Sequence, residues 1–254
     1  MRNLKATLRY DGTDFAGWQV QPEPATVQGT LMEALEKITG EPVKLTGAGR
    51  TDAGVHALGQ VANFKTASEI STGNLIRAVN SMVAPRIRVD ALEEVSEEFD
   101  ARRSALSKVY RYSIQIAAFP DPLSFRYCWQ LPFELNVESM EQAAQCLVGK
   151  HDFSSFQASA GKDRSPVRTV HSLEIRPASC TFPNDARSDL LVIEICADGF
   201  VHKMVRNIVG TLVEVGRGKI SPERLAEILE GRDRQLAGPA APGKGLSLIS
   251  VQYS

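Results

Sequence analysis

The sequence predicts an α+β protein built as two lobes, and three observations lead to that class. Segments of strict apolar and polar alternation, such as Leu4 to Tyr10, recur along the chain as half-buried strands. Between them lie segments whose apolar residues repeat at helical spacing, the first starting near Thr26 and the second near Thr72. The polar, basic stretch Phe99-Asp100-Ala101-Arg102-Arg103-Ser104 interrupts both patterns, and the lobe boundary is placed there. The N-terminal lobe then spans residues 1–104 and the C-terminal lobe residues 105–254. With 254 residues, 43% hydrophobic and 23% charged, the chain is long enough to bury a substantial core and too apolar to be disordered.

In the N-terminal lobe, Leu4, Ala6, Leu8 and Tyr10 alternate with polar neighbours, and Asp11-Gly12-Thr13-Asp14 ends that strand in a turn. Phe15-Ala16-Gly17-Trp18-Gln19 is a glycine-containing aromatic loop, read as core packing ahead of the alternative, a stacking surface. Thr26 is a candidate N-cap, and Val27, Leu31, Ala34, Leu35 and Ile38 fall on one helical face before Gly40 and Pro42 stop it. Val43 to Thr46 and Gln60 to Phe64 read as strands, Thr72 to Met82 as a second helix, and Ile87 to Val95 as a further strand. The helices are expected on one face of the sheet.

The C-terminal lobe opens on the strand Lys108 to Ile114, whose alternation puts Tyr110 and Tyr112 on one face and Arg111 on the other. Ser139 to Leu147 reads as a helix ended by Gly149, Lys162 to Arg168 as an exposed basic loop, and Val170 to Arg176 and Leu190 to Cys196 as strands joined through Pro183-Asn184-Asp185. Val201, Val205, Ile208, Val209 and Leu212 make a helical apolar face, with His202, Lys203 and Arg206 near its first turns. Cations beside a helix N-terminus are unfavourable unless an anion is present, so this start is a candidate phosphate or carboxylate site. Ser221-Pro222 caps a helix to Gly231, and Leu246 to Tyr253 is a closing strand.

The stretch with the most chemistry is Gly47 to Leu58. Its three glycines and small residues around Arg50 and Asp52 suit neither a helix nor a packed strand, so it reads as a shaped loop that can approach another molecule closely. In extended backbone, residues two apart point to the same side, so Arg50 and Asp52 can pair, and a guanidinium keeps a carboxylate ionised. The alternative is a surface turn with a solvated ion pair. Other chemistries are poorly supported. Cys128, Cys146, Cys180 and Cys196 are widely spaced without a Cys-x-x-Cys, and Gly54 argues against the helix that the Asp52 to His56 spacing would need for a metal. His151-Asp152-Phe153-Ser154-Ser155 holds triad residue types, but a triad converges from distant segments and no Gly-x-Ser-x-Gly elbow occurs. No run approaches a membrane span and the N-terminus is not a signal peptide, so a cytoplasmic protein is expected. The formal net charge is −1, and any nucleic-acid surface must come from segregated bases such as Arg102-Arg103 and His202 to Arg206.

Gly49-Arg50-Thr51-Asp52-Ala53-Gly54-Val55-His56-Ala57 resembles the signature of the tRNA pseudouridine synthase A family. Tyr10 to Gln19, Lys108 to Tyr112, Asp152 to Phe156, Met204 to Gly210 and Gly245 to Leu248 are similar to further motifs of that family, in the family's order. The resemblance implies the α+β pseudouridine synthase fold, two lobes whose sheets join around a central catalytic cleft. It also implies a homodimer that isomerises uridine to pseudouridine at positions 38, 39 and 40 of the tRNA anticodon stem-loop, with no cofactor and no metal. Residue by residue, it makes Asp52 the nucleophile, Tyr110 the ring that stacks on the flipped uracil, Arg50 a residue that helps open the RNA and pairs with the carboxylate, and Arg206 a partner that holds Asp52 ionised. Gln157 departs from the family pattern, where arginine is frequent, and one RNA contact is in question there. Two rival classes remain, a non-catalytic RNA-binding module and a hydrolase or phosphotransferase with an aspartate nucleophile. The second commonly needs Mg²⁺ held by further carboxylates, and none stand beside Asp52 in the sequence.

Overall fold

The structure, a computed structural model, describes residues 1–158, 165–178 and 189–254. In chain order its elements are β1 (Arg2–Tyr10), α1 (Val27–Thr39), β2 (Thr46–Gly47), β3 (His56–Thr66), α2 (Thr72–Val83), β4 (Ile87–Val95), β5 (Ser107–Ile116), β6 (Trp129–Leu131), α3 (Val137–Ala144), β7 (Gly149–Asp152), β8 (Val167–Ala178), β9 (Asp189–Ala197), α4 (Met204–Gly216), α5 (Pro222–Gly231) and β10 (Leu246–Gln252). They form two compact units, Met1–Leu106 with Ser247–Ser254, and Ser107–Leu246. Each unit combines strands with helices, the α+β class that the sequence predicts. Lys162 to Arg164 of the expected basic loop, the Pro183-Asn184-Asp185 turn and Cys180 lie outside the described residues.

In the first unit the strand order is β4-β1-β3-β10, with β2 also on β3. β1 runs antiparallel to both β3 and β4, and the C-terminal β10 returns parallel to β3. Thr26 caps α1 by accepting the Gly29 N–H, and Gly40, left-handed at φ 71°, ends it. Leu31 and Leu35 of α1 and Val79 of α2 meet Ala6, Leu8, Phe64, Val89 and Leu92 of the strands, so both helices cover one face of the sheet. Phe15 and Trp18 are buried, as core packing requires. The Val43 to Thr46 strand is corrected: β2 is confined to Thr46–Gly47. Side chains take the backbone groups a ladder would use, since Val43 N–H donates to Glu36 Oε1 at 3.1 Å and Gln28 Nε2 donates to the Leu45 carbonyl at 2.7 Å.

The opposite face is closed by the segment that follows β4. Ala48, Val61 and Ala101 form a small buried cluster there, with Phe99, Val251 and Tyr253 packed against it. Two buried asparagines from neighbouring strands fasten this segment. Asn63 Nδ2 donates to Asn3 Oδ1 at 3.0 Å and to the Phe99 carbonyl at 3.2 Å, while Asn63 Oδ1 accepts the Ala101 N–H at 2.9 Å.

The second unit has the strand order β5-β9-β8-β7, with antiparallel neighbours, and β6 lies parallel on β5. Its central helix is α4, where Val205 and the run from Asn207 to Val213 are buried, so it is apolar nearly all round. α3 packs against both α4 and α5. Two expected helices have other bounds. α3 starts at Val137 under an Asn136 cap and gives way to a 3-10 turn, Gln145–Leu147. α4 begins at Met204, three residues later than its apolar periodicity, because the Ala158 N–H occupies the His202 carbonyl at 3.0 Å, and Lys203 turns left-handed at φ 61°.

Asn63→Ala strands the buried Ala101 N–H and Asn3 Oδ1, and is expected to lower stability by about 2–4 kcal/mol. Urea denaturation of the two proteins side by side measures it.

Candidate active site

The Asp52 loop is held from three directions within the first unit. At its entry, the Ala48 N–H donates to the Val61 carbonyl at 2.7 Å, which fixes the loop to β3. In its middle, the Trp18 N–H donates to the Thr51 carbonyl at 3.0 Å. At its exit, the Val55 N–H donates to the Asp52 carbonyl at 3.2 Å, closing a β-turn over Asp52 to Val55. Gly54 takes the left-handed φ of 74° in the third position of that turn, a value that a side chain would resist.

A buried polar network supports the residue before Asp52. The Tyr10 hydroxyl lies 2.8 Å from Thr51 Oγ1. Gln60 Nε2 donates to the Gly49 carbonyl at 3.0 Å and to the Tyr10 hydroxyl oxygen at 3.4 Å, so Tyr10 has its own proton to give to Thr51. All three side chains are buried. Desolvation is the larger effect on the Tyr10 phenol and, against the hydrogen bonds to Thr51 and Gln60, pushes its pKa up to about 12. Within the loop, Thr51 therefore turns inward while Asp52 is half-buried and Arg50 is exposed. The expected Arg50–Asp52 pair is not found among the described ion pairs, and Arg50 is exposed.

The other two expected site residues belong to the second unit. Tyr110, on β5, is buried with its ring edge-on to Phe200, the centroids 4.9 Å apart at 82°. Its neighbour Arg111 faces the other way, to Glu194 at 2.8 Å. Arg206, in the first turn of α4, donates Nε–H to the Ala241 carbonyl at 2.7 Å, and the Ala241 N–H donates back to the Arg206 carbonyl at 2.9 Å. The next residue, Pro242, accepts the Tyr112 hydroxyl proton at 2.8 Å. The segment after α5 thus fixes Arg206 and Tyr112 together. Burial pushes the Tyr112 phenol far above its usual range, and the Arg206 charge opposes this only in part.

Several of these supports were not singled out in the sequence: Tyr10, Thr51 and Gln60 around the loop, Phe200 against Tyr110, and Ala241 against Arg206. Tyr10 and Gln60 are polar residues on strand faces otherwise apolar, a signal that points to a buried partner without naming it. The triad residue types do not converge, since His151 Nε2 contacts the Val148 carbonyl at 2.9 Å and Asp152 accepts from Ser154 at 2.6 Å. Among the described residues no group of three His, Cys, Asp or Glu side chains is arranged to hold a metal. No helix among them is long and apolar enough to cross a membrane.

Residues 6–102 and 143–254 match the family described as tRNA pseudouridine synthase. The tRNA pseudouridine synthase A of Thermoanaerobacter sp. strain X514 is 46% identical over 253 residues, covering 100% of both chains. The chain belongs to the tRNA pseudouridine synthase A family. Its relatives from Brevibacillus brevis and Acetivibrio thermocellus are 44% and 43% identical, again over 100% of both chains. A tRNA pseudouridine synthase is an isomerase, so the chemistry required of this fold is rearrangement of uridine to pseudouridine within tRNA.

The raised tyrosine pKa values link stability to pH. Unfolded tyrosines titrate near pH 10, whereas folded Tyr10 holds its proton to about pH 12, so between these values the folded state binds the extra proton. Stability is expected to be fully present below pH 10 and to fall by on the order of 2–3 kcal/mol per such residue as pH rises through that window. Spectrophotometric phenolate titration alongside urea melts measures both, and Tyr10→Phe should flatten the slope.

Proposed function

We propose that Asp52 is the nucleophile of the isomerisation and that the substrate uridines are those at positions 38, 39 and 40 of the anticodon stem-loop. The observation that carries the reading is the Asp52 turn itself: a half-buried carboxylate on a backbone fixed at Ala48, Thr51 and Val55. An aspartate needs no metal to be anionic at neutral pH, and a nucleophile held without loop freedom loses little orientation entropy at reaction. Attack on the ribose C1′ or the base C6 would break the C1′–N1 bond. The base would then turn, C5 would bond to C1′, the bond to Asp52 would break and free the carboxylate, and the C5 proton would leave to solvent as N1 takes one up. No cofactor enters this balance.

In this reading the lobe that begins at Met1 carries the Asp52 loop, and the lobe that begins at Ser107, without the closing strand that the sequence assigned to it, completes the cleft. Tyr110 stacks on the extruded uracil, a role that suits an aromatic ring braced edge-on by Phe200. Arg206 supplies positive charge to the carboxylate. The Ala241 carbonyl engages its Nε and fixes the plane of the guanidinium. Arg50, exposed beside Asp52, contacts the RNA. The protein acts as a cytoplasmic homodimer.

Tritium release from tRNA labelled at uridine C5 tests the nucleophile. Asp52→Asn is expected to abolish release while tRNA binding stays within about threefold of the native protein; release at the native rate would refute the assignment. Product mapping decides the uridine positions. Because basic side chains meeting phosphates release counterions, tRNA affinity is expected to weaken steeply between about 50 and 200 mM salt in spite of the net charge of −1. Filter binding across that range measures the slope.

A further inference from the structure

His56 is buried at the junction between the Asp52 turn and β3. Its Nδ1 accepts the Gly12 N–H at 3.0 Å. A ring nitrogen that accepts a backbone N–H carries no proton, so the ring is the tautomer protonated at Nε2. The same Nδ1 lies 3.3 Å from Asp11 Oδ1, but that oxygen is occupied by the Thr13 N–H at 2.9 Å and the Thr13 hydroxyl at 2.6 Å. Asp11 therefore shapes its own turn, and the acceptor bond of Nδ1 is the one from Gly12.

Gly12 is where this bond matters. Its α-carbon presses on the Val55 peptide so closely that a β-carbon there would overlap the Val55 carbonyl oxygen. The turn then continues: the Phe15 N–H donates to the Gly12 carbonyl at 3.0 Å, and the Phe15 carbonyl accepts the Gly54 N–H at 3.4 Å. Gly54 and Val55 are the third and fourth residues of the turn that begins at Asp52. One imidazole acceptor thus holds the Gly12 to Phe15 turn against the back of the Asp52 turn. The turn touches it at two successive residues.

We infer that His56 is a positioning residue for the isomerisation, acting through the acceptor Nδ1 and the Gly12 turn to set the Asp52 carboxylate. The inference rests on Asp52 being the nucleophile. It predicts a dependence on the acceptor atom rather than on the ring. Asparagine carries Oδ1 on the same carbon that bears Nδ1 in histidine, so it can accept the Gly12 N–H; leucine fills the space and cannot.

The test compares His56→Leu, His56→Asn and Asp52→Asn in single-turnover tritium release with C5-labelled tRNA, together with tRNA dissociation constants and thermal midpoints. His56→Leu is expected to slow the single-turnover step by about tenfold to a hundredfold, the range for a reacting group misplaced by an ångström, with the dissociation constant unchanged. His56→Asn is expected to recover most of the rate, including where His56→Leu melts lower. Equal slowing of the asparagine and leucine variants would overturn the inference, as would native rates in both, while leaving the Asp52 reading intact if Asp52→Asn is inactive. Activity in Asp52→Asn would overturn both.

Discussion

The backbone hydrogen bond from Trp18 to the Thr51 carbonyl, with the Tyr10 hydroxyl on Thr51 Oγ1, is the constraint on which the candidate site depends. Thr51 is the residue before Asp52, and it is held by its main chain from one segment and by its side chain from another. A glycine-rich loop has little intrinsic order, so fixing it requires contacts from outside. Here these contacts are buried, and buried hydrogen bonds are costly to leave unmade, so the alternatives in which Thr51 swings out are disfavoured. Asp52 follows directly on this fixed residue.

The second unit solves the same problem differently. Arg206 stands at the start of α4, where a cation opposes the helix dipole, and the strained left-handed Lys203 precedes it. The reciprocal bonds between Arg206 and Ala241 hold that helix start in place, and the adjacent Pro242 carbonyl fixes the Tyr112 hydroxyl. One short segment thereby ties a helix terminus to the strand that carries Tyr110. Fixing cations and aromatic rings before a substrate arrives lowers the ordering needed on binding, which suits an enzyme that acts on a base within tRNA.

Much of the fold was legible from local pattern. Alternation located β1, β4 and β5 because one face of each strand is apolar, and Thr26, Gly40 and Pro222 marked helix ends through their own backbone preferences. The composition of the Asp52 loop was equally legible, since three glycines among small residues exclude regular structure. What local pattern misjudged were places where a distant group claims a backbone atom. Gln28 and Glu36 capture the groups that Val43 to Leu45 would have given to a strand, and Ala158 takes the His202 carbonyl that would have extended α4.

The sequence by itself determined the α+β class, the helix ends at Thr26, Gly40 and Pro222, the strand faces, the Asp52 loop, and through its motifs the family. Each of these depends on residues within a turn or two of one another, where periodicity and backbone preference act directly. Only the tertiary structure decided that β10 returns to β3, that Thr51 is buried while Arg50 is exposed, that Ala241 holds Arg206, and that His56 reaches Gly12. Those partners are separated by tens of residues, and a periodic pattern tells which face of an element is buried without telling what covers it.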